Sequence, residues 1–204
     1  GGAASDMAIV SLILEENMYV VVGIETHCAK GHGEVQTLLQ AHVKNLRGIF
    51  PGAMIIFIPE SNLGHESSHM WSMIKDMGNM RCIMENAQPG VITTHRRKEL
   101  YANCMIEAFA RSGVCALKDF VVASPFSDAN KRVQETKDTF TRQLGQFCKL
   151  VVKRGDHDLP KIIYSGKMNG PDDLVMTFMI GMYWSMQFMT NRCTPCDRTI
   201  REES

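Results

Sequence analysis

The 204-residue chain has no excess charge of either sign: 22 Lys and Arg stand against 22 Asp and Glu, a formal net charge of zero. That balance disfavours a protein that holds nucleic acid by bulk positive charge alone, although acidic metal ligands can offset basic contact residues in such a sum. There is no apolar run long enough to cross a bilayer. The most apolar stretch, residues 174–189, falls short of the roughly 20 residues required, and it directly follows Asp172 and Asp173, so a buried core helix is expected. A disulfide framework is also lacking, since Cys28, Cys82, Cys104, Cys115, Cys148, Cys193 and Cys196 follow no paired spacing. The first residues carry neither the basic nor the apolar region of a secretory signal, and a reducing, intracellular compartment is the expectation. Internal repeats, low-complexity segments and a Gly-x-x-x-x-Gly-Lys-[Ser/Thr] phosphate loop are all absent, the last excluding a P-loop ATPase from these residues.

What is present suits one domain. With 45% hydrophobic residues the chain can bury a core. It opens on a loop composition, Gly1-Gly2-Ala3-Ala4-Ser5-Asp6, an abrupt start that suggests a further segment upstream. Strand patterns at 7–14 and 19–24, separated by Glu15-Glu16-Asn17, predict a hairpin. Residues 34–50 place Val35, Leu38, Leu39, His42, Val43, Leu46 and Ile49 at helical spacing, stopped by Pro51-Gly52. Residues 54–59 form a continuous apolar run, expected of a strand buried on both faces, with Glu60 at its C-terminal end. Further helices are predicted at about 67–77, 99–111, 129–152 and 174–189. Strands are predicted near 81–84, 120–122 and 161–164, with a turn at Gln88-Pro89-Gly90 ahead of the basic run His95-Arg96-Arg97-Lys98. Strands first, then alternating helix and strand, indicate an α/β fold with a mixed sheet.

Three carboxylates stand where chemistry is plausible. Ligands of open α/β sheets collect at the carboxyl ends of strands, and Glu60 follows a strand too apolar to carry a charge without reason. Carboxylate pairs suit hard divalent cations. Asp172 and Asp173, after Pro171, also make a good helix start with no function required. Helical phase separates the two. Met176, Met179, Met182, Met186 and Met189 recur every three or four residues as a core-facing stripe. Asp172 falls on that side, and Asp173 is turned about 100° away.

Two other patterns compete. His65-Glu66-Ser67-Ser68-His69 spells the H-E-x-x-H of zinc proteases, but its spacers are serines, and the extended form is absent because Ser72 and Lys75 occupy the positions of its Gly and His. Cys193-Thr194-Pro195-Cys196 has no second pair at zinc-site spacing and reads as part of a tail over 191–204.

The segment Tyr164-Ser165-Gly166-Lys167-Met168-Asn169-Gly170-Pro171-Asp172-Asp173-Leu174-Val175-Met176 resembles the one that closes the nuclease domain of herpesvirus large terminase subunits, where a Ser-Gly-Lys and Asn-Gly loop enters an Asp-Asp-Leu helix. The order before it is similar to that of herpesvirus and tailed-phage terminases. It comprises a hairpin with Val22-Gly23-Ile24-Glu25-Thr26-His27, a helix ending at Phe50-Pro51-Gly52, and a strand ending Pro59-Glu60-Ser61-Asn62. The resemblance covers the chain to about residue 190. It implies an RNase H-like mixed sheet flanked by helices, and an endonuclease that cuts concatemeric double-stranded viral DNA with two Mg²⁺ or Mn²⁺ ions. Glu60 then matches the family's second acid, and Asp172 and Asp173 its third. The first acid, in an Asp-Pro-Ala strand just ahead of the glycine loop, is expected upstream of Gly1, so the chain would lack its first strand; Asp6 is a poor substitute. The resemblance further implies DNA contacts, with Lys167, Arg96, Arg97, Lys98, Lys131 and Arg132, and also Lys153 and Arg154, as candidates. Its implied partners are other terminase subunits and the capsid portal, with the host nucleus as location if the source is herpesviral. The alternative reading is an incomplete RNase H-like module that binds DNA or packaging partners without cutting.

Overall fold

The computed structural model describes residues 7–15, 18–28, 31–61, 66–111, 113–121, 129–152, 161–165 and 172–190. In chain order the elements are β1 (Met7–Glu15), β2 (Met18–His27), α1 (His32–Ile49), β3 (Ile55–Phe57), α2 (Glu66–Ile74), β4 (Met80–Cys82), β5 (Met84–Glu85), β6 (Gln88–Pro89), α3 (His95–Ala110), β7 (Val114–Val121), α4 (Ala129–Gln146), β8 (Cys148–Val152), β9 (Lys161–Ser165) and α5 (Asp173–Met189). β1 and β2 form the predicted antiparallel hairpin, and β7 lies parallel on the other edge of β2. β3 and β4 pair in parallel, while β5–β6 and β8–β9 are antiparallel pairs. No described helix is long and apolar enough to cross a membrane.

Helices cover the central strands on two sides because β1 alternates. Ala8, Val10, Leu12 and Leu14 pack into the main core with Tyr101 of α3 and Leu174, Phe178 and Met182 of α5. Met7 and Ile9 join a second core with Leu39 and Val43 of α1 and Ile74 of α2. Gly181 lets α5 come close to β1, for a Cβ there would lie 2.9 Å from Leu12 Cδ1. β3 divides in the same way: Ile55 and Phe57 enter the α1–α2 core, Ile56 and Ile58 the α5 core. β1 and β3 therefore share both apolar layers, yet they belong to separate hydrogen-bonded sheets.

Strand β2 carries a bulge that decides which side chains meet which core. Ser11 pairs with Gly23 and Leu12 with Val21, leaving Val22 as an extra residue. A bulge reverses the alternation beyond it. Tyr19, Val21 and then Ile24 all face the α5 core, and Glu25 turns to α1, where it meets His42.

Several expected boundaries shift. The apolar run at 54–59 narrows to a half-buried three-residue strand that touches both cores but pairs only with β4. The turn expected at Gln88-Pro89-Gly90 falls earlier, at Asn86 and Ala87, both at positive φ (51° and 60°), so Gln88 and Pro89 become strand β6. Two consecutive left-handed residues match the twist of a tight hairpin. The basic run is the first turn of α3, with the Thr94 hydroxyl accepting from the Arg97 N–H at the N-cap. The short strand expected at 120–122 extends back to Val114, where pairing with β2 supplies the hydrogen bonds. The helix expected over 129–152 stops at Gln146, because Cys148–Val152 gains ladder partners in β9. The methionine stripe is buried at Met176, Met179 and Met182 and fades out, Met189 being exposed.

Candidate functional site

The backbone around Glu60 is fixed by a neighbouring segment. The Val91 N–H donates to the Pro59 carbonyl and the Ser61 N–H to the Val91 carbonyl, both at 2.9 Å, so that Glu60 and Val91 form a parallel bridge. This approach is possible only beside glycine. Gly90 has φ +103°, and a Cβ on it would sit 2.6 Å from the Pro59 carbonyl oxygen. The Glu60 side chain is exposed at the end of this bridge.

Asp172 occupies the N-cap position of α5 and is 1% exposed, while Asp173 is half-buried, in the sense that helical phase predicts. An N-cap acid ordinarily accepts from the second and third backbone N–H groups of its helix. Asp172 makes no such bond. The Leu174 and Val175 N–H groups donate instead to Oε1 of Gln143, at 3.0 and 3.4 Å. Gln143 reaches them from α4 and is itself buried. The Ser165 hydroxyl, at the end of β9, lies 3.4 Å from Asp172 Oδ2.

The same core joins the two acids' supports: Ile58, Val91, Leu174 and Val175 all belong to it. The donor chemistry, carboxylate oxygens, fits a hard divalent cation. Among the described residues, however, no group of three or more His, Cys, Asp or Glu side chains converges as a metal site, so Glu60 and Asp172 do not by themselves complete one.

Of the basic candidates, Arg97 is already engaged. Its guanidinium forms an ion pair with Glu85, donates to the Ile92 carbonyl at 2.6 Å and stands 5.8 Å over the Trp184 ring. The pair holds Glu85 below the usual carboxylate range and raises the Arg97 pKa, the hydrogen bond between them being the main cause of each shift. Arg96 is exposed and Lys98 half-buried. Lys131 and Arg132 belong to α4, and Lys153, Arg154 and Lys167 lie outside the described residues, as do Asp6, Cys193 and Cys196. In the H-E-x-x-H pattern, His65 is outside the described residues. Glu66 and His69 are exposed on α2, and the His69 ring stands edge-on to His32 at 4.8 Å.

Sequence reasoning missed a buried polar chain on the α1 side. Ser11 Oγ lies 2.7 Å from His42 Nε2, His42 Nδ1 meets Glu25 Oε1, and Glu25 Oε2 is 2.8 Å from His27 Nε2. Glu25 is 5% exposed. Burial alone would raise its pKa, but the hydrogen bonds from His27 and His42 outweigh it and bring the carboxyl down to about 2. His42 had helical spacing with apolar residues, and its ring nitrogens were the available signal.

A mixed sheet with helices on both sides makes this an α/β fold of RNase H-like architecture. The structure is similar to that of the human cytomegalovirus terminase nuclease domain, solved Mn-soaked and inhibitor-bound, with a TM-score of 0.66 and 12% sequence identity over 94% of this chain and 82% of that one. At this identity the likeness establishes the fold. No protein-family model and no curated protein matches the sequence.

Proposed function

We propose that the chain is the nuclease module of a viral DNA-packaging terminase, a metal-dependent endonuclease for concatemeric double-stranded DNA. The observation that carries the reading is the Asp-Asp-Leu start of α5 in a chain that shares 94% of its length with a terminase nuclease fold. At that start a buried acid leaves helix capping to Gln143. Glu60 and Asp172 are the ligands, with Asp173 as an alternative ligand beside them. Two Mg²⁺ or Mn²⁺ ions, when bound, supply the activated water and the stabilisation of the leaving oxygen. The chain's own residues hold the oxygen donors in place: Gly90 and Val91 fix the backbone at Glu60, and α5 fixes Asp172. The set needs a further acid from outside the described residues, and the sharing of both cores by β1 and β3 without a shared ladder supports a strand seated between them.

Phosphate contacts fall to Lys167, whose loop leads to Asp172, and to Arg96, Lys98, Lys131 and Arg132, with Arg97 occupied by Glu85. Residues 1–190 form the module and 191–204 a tail. Other terminase subunits and the capsid portal are its partners, and the host nucleus its location in a herpesvirus. The second reading is an incomplete RNase H-like module that binds DNA or packaging partners without cutting.

Mn²⁺-dependent nicking of plasmid, measured for this chain and for one extended upstream by an Asp-bearing strand, tests the proposal. Weak or no cleavage is expected from the shorter chain and strong cleavage from the longer, abolished there by Glu60→Ala. Full activity of the short chain with Glu60→Ala harmless overturns the assignment.

A further inference from the structure

We infer that Gln143 is a positioning residue for metal binding: by capping α5 from α4 it keeps the Asp172 carboxylate off the helix N-terminus and available as a ligand. The inference rests on the reading of Asp172 as a metal ligand. Its geometric basis is the division of labour at the first turn of α5. Asp is among the most favoured N-cap residues, and the Leu174 and Val175 N–H groups are the two that an N-cap side chain ordinarily satisfies. Here both go to Oε1 of a residue 31 positions away in sequence from Leu174, itself nine-tenths buried or more. A buried glutamine loses rotamer freedom and needs its hydrogen bonds met. A helix with an Asp already at its N-cap gains little stability from a second acceptor imported from another helix. The arrangement is accounted for if the Asp is required elsewhere.

Removing the imported acceptor should restore the ordinary arrangement. With Gln143→Met, similar in volume but without the acceptor, the two N–H groups attract the Asp172 carboxylate, which then caps the helix and leaves the metal. Residues that orient a metal ligand typically change metal affinity by about 10- to 100-fold when removed. Mn²⁺ is titrated into the full 204-residue chain and into the chain extended upstream by an Asp-bearing strand, followed by paramagnetic broadening of the amide resonances at 173–176, with thermal melting in parallel. No Mn²⁺ response in either unaltered chain overturns the ligand reading and the inference with it. The expected result is a loss of about tenfold or more in Mn²⁺ affinity for Gln143→Met, recovery in Gln143→Glu, which keeps an acceptor oxygen at the same reach, and loss of the Mn²⁺ response in Asp172→Asn.

The possible failures are distinguishable. An unchanged Mn²⁺ response in Asp172→Asn overturns the ligand reading and the inference with it. If Asp172→Asn loses the metal while Gln143→Met melts lower but binds Mn²⁺ as before, Gln143 is only a helix cap and the inference alone falls. Should Gln143→Met fail to fold, hydrogen exchange in Asp172→Ala decides: the Leu174 and Val175 amides stay protected if Gln143 is the cap, and their loss of protection overturns the inference.

Discussion

Glu25 and Asp172 are the two carboxylates buried among the described residues, and their surroundings differ in kind. Glu25 has an imidazole on each oxygen, and those hydrogen bonds bring its carboxyl down to about 2. Asp172 stands where an acid would ordinarily cap a helix, and a glutamine from another helix does the capping. Burial alone therefore does not set what an acid does; its hydrogen-bond partners do. Glu25 ties β2 to α1 through His42, whereas at Asp172 a second polar side chain, Gln143, takes the capping role.

The largest effect that would sharpen this contrast is loss of Glu25. Removing one partner of a buried pair leaves the others uncompensated, so Glu25→Ala should cost about 3 kcal/mol by denaturant unfolding. The pH dependence follows in sign. The folded pKa, about 2, is below the ordinary 4.5, so this stabilisation is complete above about 4.5 and is lost as pH falls toward 2. Stability of the unaltered chain should decline over that acid window, and the Glu25→Ala chain should show a flatter profile there. Next comes Gly90→Ala, which forces a left-handed backbone and a 2.6 Å approach to Pro59. About 2 kcal/mol is expected, read from the melting temperature, together with weaker Mn²⁺ binding through displaced Glu60. Asp172→Asn should cost less than about 1 kcal/mol while removing the Mn²⁺ response. If it costs as much as Glu25→Ala, the contrast between the two acids is broken. The smallest effect belongs to Arg96→Ala: stability within about 0.5 kcal/mol, and a salt dependence of DNA affinity that falls by about one unit of slope if this exposed side chain contacts phosphate.

The hairpin, α1 and α5 were legible in the sequence because each shows a sustained period, and the same period placed Asp172 inward and Asp173 to the side. The end of α4 was not, since no Gly or Pro separates Gln146 from Cys148 and only the ladder with β9 makes the break. Glu25 was hidden by Val22. Strict alternation puts Glu25 on the face of Tyr19 and Val21, and a one-residue bulge, which has no sequence mark here, moves it to the other. Gln143 lay beyond reach for a different reason: a cap supplied from another helix leaves its signature in packing, not in local order.

The separation of β1 from β3 bears on solubility. Among the described residues β1 is paired along one edge only, and its nine residues, Met7–Glu15, carry no charge until the last. A long, uncharged, β-branched edge without proline is a template for pairing with another chain. Self-association that grows with concentration is the expected consequence wherever no other strand covers that edge. A strand seated along that edge would suppress it, acting as a solubilising seal whatever chemistry it brings.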